Sequence, residues 1–407
     1  MKFVRHGRFR KLLSISALLC GITLVVGACG GSSGGASSSS TGGTSTGSAN
    51  NSSSSNLAAF ETQLQTFYKG TYTLPPTTAP TPPKNVSLWI ISCGQASEGC
   101  SAPVAAAKSA AQALGWKVNV FDGNFGVGDA YNAGLRQAIA AHATAIITVG
   151  VDCDQAKSGY QAAKAAGIPV IGDNSFDCND PLLNDGPALF SATVKYTPQD
   201  PTADATLAEI GAAKADWIIM HTDGKAQVIN LDFSALTGGV ATNNGFVAEM
   251  AKCSTCKILK TIDFSPADTS DGELKTEFAS ALAQYPQANA ADVLSDGIII
   301  QDGLAQAIQS TGRTKTFALV GEEGYAPNAQ LIRNQDGEDA GATYDSDWLS
   351  WGAVDTVIRI LDHQSAVDEG PGVQVIDATH NLPAAGQNYG VSVNYQASYK
   401  KAWGISS

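Results

Sequence analysis

Apolar positions in this chain come in two recurring forms. One is a short, continuously apolar run rich in Val, Ile and Leu; the other is a longer Ala-rich stretch with large apolar side chains every three or four residues. The clearest unit is residues 145–180, AIITVGVDCDQAKSGYQAAKAAGIPVIGDNSFDCND. Residues 145–149 predict a strand and the proline-free residues 155–166 a helix, which Gly167 ends where a left-handed backbone is favoured. Residues 168–171 predict the next strand. Both runs are too apolar to alternate, as expected of parallel strands covered on both faces. Carboxylates follow each of them, Asp152 and Asp154 after the first and Asp173 after the second. Ligands of open α/β sheets sit at such strand ends.

The same rhythm continues on either side. Strands are predicted at 86–91, 117–121 and 189–194, with helices at 102–114, 129–142 and 204–214; Tyr131, Leu135 and Ile139 recur at helical spacing in the second of these. A second series predicts strands at 227–231, 258–262, 292–294 and 317–320, and helices at 243–251, 272–284 and 300–309. A short helix at 328–333, a strand at 342–344, a helix at 349–361 and a strand at 373–376 close the pattern. Two successive series imply two parallel-sheet lobes with a small-molecule cleft between them. Ahead of them, Phe60, Leu64 and Phe67 mark a short helix at 57–70, and residues 75–83 are proline-rich. The folded body is expected to start near Lys84.

The N-terminus has a different character. Lys2, Arg5, Arg8, Arg10 and Lys11 precede an apolar run at 12–26, which at about 15 residues is short for a membrane span of roughly 20. Val26-Gly27-Ala28-Cys29 resembles the lipobox of bacterial lipoproteins, which implies export, removal of residues 1–28 and lipidation of Cys29. Residues 29–56, nearly all Ser, Gly, Thr and Asn after Cys29, are expected to form a tether. Removing residues 1–28 takes away five basic and no acidic side chains, leaving 20 basic against 37 acidic, a balance of −17. That sign excludes a nucleic-acid partner.

The order LWIIS, AAKSAAQALGWKVNVFDG, LRQAIAAHATAIITVGVD, AAKAAGIPVIGDN, then AIQSTG, FALVGEEG and ATYDSDWLSWGAVDTVIRIL resembles the type I periplasmic substrate-binding proteins. Within them it is most similar to the ribose- and galactose-binding branch, which shares its fold with the ligand domains of lactose-repressor-type regulators. The resemblance, over roughly residues 84–381, implies an α/β chain of two Rossmann-like lobes joined by a three-crossing hinge. The expected organisation is a lipoprotein signal at 1–28, tether at 29–56, helix and linker at 57–83, a first lobe of 84–195 with 346–372, and a second lobe of 196–345 with 373–407.

Family positions carry over singly. The aspartate that takes two sugar hydroxyls falls on Asp173, with Asn174 where an arginine is common. Asp152 ends the preceding strand. The loop after the first strand offers Gln95, Ser97 and Glu98 but lacks the usual aromatic pair, so Trp348 or Trp351 is expected to supply a stacking face. In the second lobe the matching positions are Asn243, Asn244, Asp296, Glu322 and Glu323, and the hinge position is Asp345. For any single acidic strand-end residue other than Asp173, a solvated turn or helix cap competes evenly with a ligand role. The two tryptophans are equally readable as core anchors.

The chemistry of the residues narrows the ligand. Arg136, Arg313, Arg333 and Arg359, the arginines left after the signal, fall on helix or outer-loop positions, which disfavours an anionic ligand but not an amine. In an exported chain the six remaining cysteines are expected to pair. Fifteen pairings are possible, and the preferred set joins Cys93 to Cys100 and Cys253 to Cys256 as local staples. It joins Cys153 to Cys178 because these follow neighbouring strands. Cys253-x-x-Cys256 as half a zinc or redox site lacks a second cysteine pair or a nearby histidine. No nucleophile elbow, zinc-protease motif, P-loop or complete dinucleotide turn is present, so neither catalysis nor a metal or cofactor is expected. The expected function is that of a monomeric, lipid-anchored receptor that passes a sugar or polyol to an ABC permease. A receptor for an amine or amino-acid-like ligand, a sensing lipoprotein with a signalling partner, and, more weakly, a tethered enzyme are the alternatives.

Overall fold

Parallel strands separated by helices build two lobes in the computed structural model, which describes residues 49–405. The first sheet holds β1 (Ser87–Ser92), β2 (Lys117–Asp122), β3 (Ala145–Val149), β4 (Val170–Asp173) and the two-residue β5 (Ala192–Thr193). Their order is β2-β1-β3-β4-β5, all parallel. The second sheet holds β6 (Gln227–Asp232), β7 (Lys257–Asp263), β8 (Ala290–Asp292), β9 (Ala318–Gly321), β10 (Ala340–Thr343) and β11 (Gln374–Asp377). It runs β11-β10-β9-β8-β6-β7, parallel except where β11 meets β10. Every residue of β3 and β4 is buried, which explains their unbroken apolar character.

Helix α1 (Ala49–Lys69) precedes β1; α2 (Glu98–Ala113), α3 (Ala130–Ala140) and α4 (Lys157–Ala165) connect the first strands. The second lobe contains α5 (Ala203–His221), α6 (Thr237–Met250), α7 (Pro266–Asp271), α8 (Glu273–Gln284), α9 (Asp296–Gln301), α10 (Leu304–Ser310) and α11 (Ala326–Asn334). Helix α12 (Ser346–Leu361) returns to the first lobe, and α13 (Tyr395–Ala402) follows the last strand. Helix α5 is buried over most of its length and packs tightly on α6. A Cβ on Gly211 would lie 2.0 Å from the Thr242 carbonyl oxygen, so glycine is what lets the two backbones approach.

Several boundaries differ from the sequence reading. Helix α6 begins at Thr237, so Asn243 and Asn244 lie inside a helix and not at a loop end. The helix expected at 300–309 divides at Gly303, and another helix precedes the one expected at 272–284. The run at 189–194 yields only β5 because Leu189 and Phe190 are instead held by the Asp177 carboxylate, which accepts from their N–H groups.

The larger corrections concern the ends of the body. Phe60, Leu64 and Phe67 on α1 are buried in one cluster with Trp217 and Ile218 of α5 and Val375 of β11. The Tyr68 hydroxyl donates to Asp377 Oδ2 at 2.6 Å. The proline-rich stretch then runs along the hinge: the N–H groups of Thr71 and Thr73 donate to the Val373 and Gly370 carbonyls at 2.9 and 2.8 Å. It ends on the first lobe, where Arg359 donates to the Thr78 carbonyl at 2.6 Å and the Trp116 indole to that of Pro83 at 2.9 Å. Residues 57–83 are therefore part of the body. At the other end, Tyr399 and Trp403 are buried among first-lobe residues that include Trp348 and Trp351, although residues 373–407 were expected in the second lobe. The chain thus crosses between lobes near residues 70–83, 194–203, 344–346, 362–373 and 390–394, five passages in place of three.

Leu64→Ala should destabilise the protein by about 2–5 kcal/mol in urea unfolding, as for a buried core leucine. A change near zero would mean that α1 does not belong to the folded body.

Candidate functional site

Asp173 closes β4 at the junction with the hinge. Its carboxylate is buried and accepts from the Ser350 hydroxyl of α12 at 2.6 Å. Burial, reinforced by the charge of Asp347 and opposed by the Ser350 bond, pushes it up to about 7. Asn174 follows in a left-handed conformation, φ 46°, and accepts from the Tyr196 hydroxyl at 3.2 Å. The rings of Tyr196 and Tyr344, both on crossing segments, meet edge to face at 5.6 Å. Asp152, after β3, accepts from the Phe176 N–H at 3.0 Å and from the Thr237 side chain of the opposite lobe; burial pushes it up to about 6.

The second lobe contributes a denser polar group. Lys214 of α5 is completely buried; its ammonium donates to the Val293 carbonyl at 3.1 Å and lies 3.6 Å from Glu322 Oε2 and 3.8 Å from Asp292 Oδ2. Burial raises Asp292 to about 7 and Glu322 to about 8, with Lys214 opposing the shift in both. Asn230 Oδ1, Asp232 Oδ1, Asp292 Oδ1 and Glu322 Oε2 have no hydrogen-bond partner within the protein. Glu323 accepts from the Ser295 hydroxyl at 3.0 Å and the Asp296 N–H at 2.8 Å, and burial beside Asp296 and Glu322 raises it to about 8. The lobes meet there: a Cβ on Gly99 of α2 would lie 2.7 Å from Glu323 Oε1.

Asp152, Asp173, Asn174, Glu322 and Glu323 thus face the junction of the lobes. Other expected residues have different work. Asp296 accepts from the N–H groups of Glu322, Gly324 and Tyr325 at 2.8, 2.5 and 3.2 Å and so holds the loop after β9. Asp345 caps α12 by accepting from the Trp348 N–H at 2.9 Å, and its second oxygen accepts from the Val391 N–H at 3.1 Å. Trp348 is fully buried and stacked on Tyr395, with its indole donating to the Glu369 carbonyl at 2.9 Å, so it presents no face to the cleft. Trp351 is likewise buried, stacked on Trp403. Asn243 donates to Asp232 Oδ2 at 2.8 Å and accepts from Asn230 at 3.0 Å, which orients Asp232 from behind. Asn244 is exposed on α6.

Around the first strand, Gln95 joins the ends of β1 and β2: its N–H donates to Asp122 at 2.9 Å and its amide to the Ser92 hydroxyl at 2.7 Å. Ser97 sits at the start of α2, and the exposed Glu98 accepts from Asn388 at 2.9 Å. The structure forms disulfides Cys93–Cys100, Cys153–Cys178 and Cys253–Cys256; the second ties the loops after β3 and β4 beside Asp152. Cys29 lies outside the described residues.

Sequence reasoning missed Lys214, Asp292, Asp232, Tyr196 and Tyr344. Lys214 had a signal, since it is the one cation in IGAAKADWIIM of α5, a stretch whose remaining residues are apolar except Asp216. A second signal was the tripeptide Asp-Phe-Ser repeated at 232–234 and 263–265, after β6 and β7, which brings Phe233 and Phe264 into a stack at 4.5 Å.

Residues 90–365 match the sequence model of the periplasmic binding protein domain. The chain belongs to the periplasmic binding protein family. No curated protein matches it. Its two-lobed α/β fold is similar to that of a galactofuranose-binding protein, at 16% identity and a TM-score of 0.57 over 79% of this chain and 99% of that one. An ABC transporter solute-binding protein from Agrobacterium vitis with bound allitol is similar at 18% identity and a TM-score of 0.60, covering 73% and 96%. A 5-methylthioribose transporter solute-binding protein from Thermotoga lettingae is similar at 18% identity and 0.59, covering 78% and 100%. The fold of this binding protein is therefore the type I fold. Among the described residues, no helix is long and apolar enough to cross a membrane.

The buried carboxylates fix the sign of a pH effect. Asp173 stands at about 7 in the folded binding protein against an ordinary 3.8, so its favourable share is present below pH 4 and is lost as pH rises through 7. Asp173→Asn should flatten the decline in stability between pH 5 and 8 by no more than about 3 kcal/mol, since only the roughly two units between pH 5 and 7 fall in that window. Urea unfolding at the two pH values measures this; a slope identical to that of the parent would contradict it.

Proposed function

We propose that this chain is an extracytoplasmic solute receptor, anchored by lipidated Cys29, that holds a sugar or polyol between its lobes and delivers it to an ABC importer. One observation carries the ligand assignment: Asn230 Oδ1, Asp232 Oδ1 and Asp292 Oδ1, buried without a hydrogen bond, are all acceptors, and Glu322 Oε2 beside them has only the Lys214 ammonium at 3.6 Å. A molecule rich in hydroxyl donors satisfies them at the least desolvation cost, since each hydroxyl donates to one carboxylate oxygen and accepts from a neighbour. Lys214 supplies a complementary cationic donor, and Asp173 and Asn174 supply the opposing wall. The galactofuranose, allitol and 5-methylthioribose named for structures of the same fold support this reading. The family and the binding role of its members support a receptor in place of an enzyme.

A second reading is favoured by the charge balance. Among the described residues, Lys214 is the one cation paired with any of Asp152, Asp173, Asp292, Glu322 and Glu323, and it reaches only Asp292 and Glu322, a field that also suits an amine-bearing ligand.

Thermal unfolding against furanoses, pyranoses, polyols, amines and amino acids separates the readings. A matching sugar or polyol at about one hundred times its dissociation constant should stabilise the protein by roughly 2.7 kcal/mol, and Asp173→Ala should abolish the shift. A response to amines alone would support the second reading and contradict the first.

A further inference from the structure

Trp348 lies in the first turn of α12, directly after the 344–346 crossing, and three other crossings converge on it. Its ring stacks on Tyr395 at 5.6 Å and 7°, and Tyr72 packs at 6.3 Å and 59°. Its indole donates to Glu369, and a Cβ on Gly370 would lie 2.8 Å from its ring, which with φ 102° makes glycine necessary there. Tyr72 belongs to the N-terminal crossing, Glu369 and Gly370 to the one before β11, and Tyr395 opens α13 directly after the C-terminal one.

The two terminal crossings are fastened on both lobes. The N-terminal strap starts from α1 on the second lobe, pairs its backbone with Gly370 and Val373, and ends on Arg359 and Trp116 of the first lobe. On the C-terminal strap, the Tyr389 N–H donates to the Gly324 carbonyl at 2.8 Å and its hydroxyl to Gln374 at 2.8 Å, both on the second lobe. Asn388 accepts from the Ala326 N–H at 2.9 Å and donates to Glu98 on the first lobe at 2.9 Å, so one side chain spans the lobes. Beyond Val391 the strap is sealed into the first lobe. The Tyr399 hydroxyl donates to Glu369 Oε2 at 2.7 Å, the Trp403 indole donates to Asp355 Oδ1 at 2.8 Å, and both carboxylates are fully buried.

We propose that these two straps clamp the hinge around Trp348, hold the lobes together without ligand, and so regulate access to the cleft. This consequence for access rests on the receptor reading; the clamp itself does not. The C-terminal strap's first-lobe bonds to Glu369 and Asp355 are buried, whereas the Asn388–Glu98 bond is exposed. Opening therefore breaks that bond first and shears Tyr72 and Tyr395 across the Trp348 ring. A hinge with only three crossings has neither constraint.

The test is the lobe separation in the ligand-free full chain, read by electron–electron resonance between spin-labelled non-natural amino acids at the exposed positions Ser109 on α2 and Ala279 on α8. Asn388→Ala should shift the distance distribution to longer values, and Asn388→Ala with Tyr395→Ala should shift and broaden it further. Tyr395→Phe, which keeps the stack, should restore the narrower distribution. A parent distribution unchanged by Asn388→Ala and by the double variant, with both still melting cooperatively, would overturn the clamp. If the clamp fails, opened variants are absent whatever ligand binds. If instead the receptor reading fails, the variants still open, but no sugar, polyol or amine closes them again.

Discussion

The constraint on which the molecule turns is the burial of carboxylates at the carboxyl ends of two parallel sheets. Asp152, Asp173, Asp292, Glu322 and Glu323 are withdrawn from water with one ammonium, that of Lys214, among them. Desolvation disfavours their charged forms and raises each of them. Such a site is poor at stabilising the protein and well suited to receiving a donor-rich molecule. A core of similar volume lined by apolar residues would be the more stable arrangement.

The surrounding fold is arranged to keep those groups in place without neutralising them. Asp296 spends its oxygens on the backbone of the loop that presents Glu322 and Glu323. Asn243 holds Asp232 from the adjacent helix, and Ser350 of α12 holds Asp173 from within the same lobe. The Cys153–Cys178 bridge joins the two loops nearest Asp152. Rigid support of this kind limits what binding must order, which is how a small polar ligand is held with useful affinity.

The architecture was legible in the sequence because parallel strands buried on both faces leave unbroken Val/Ile runs, as at 145–149, and Ala-rich helices leave periodic ones. Asp173 was legible through its place after such a run. Trp348 was not, because a buried indole and a cleft-facing one have the same sequence signature. Its role depends on Tyr72 and Tyr395, which are remote in the chain. The terminal straps were hidden for a related reason. Proline-rich residues and a short amphipathic tail look like linkers until their docking partners are known, and Phe60, Leu64 and Phe67 reveal a buried stripe without revealing what buries it. Lys214 was obscured by lying on a helix where an exposed lysine would be ordinary.

The central claim is that ligand hydroxyls complete the hydrogen bonding of these carboxylates. Such donors favour the charged form, so binding must lower the raised values and release protons. Calorimetric titration of the stabilising sugar or polyol at pH 6.5, in buffers of different ionisation enthalpy, measures that release directly. The account predicts net proton release that is reduced in Asp173→Asn combined with Glu322→Gln. Proton uptake, or a heat independent of the buffer, would contradict it.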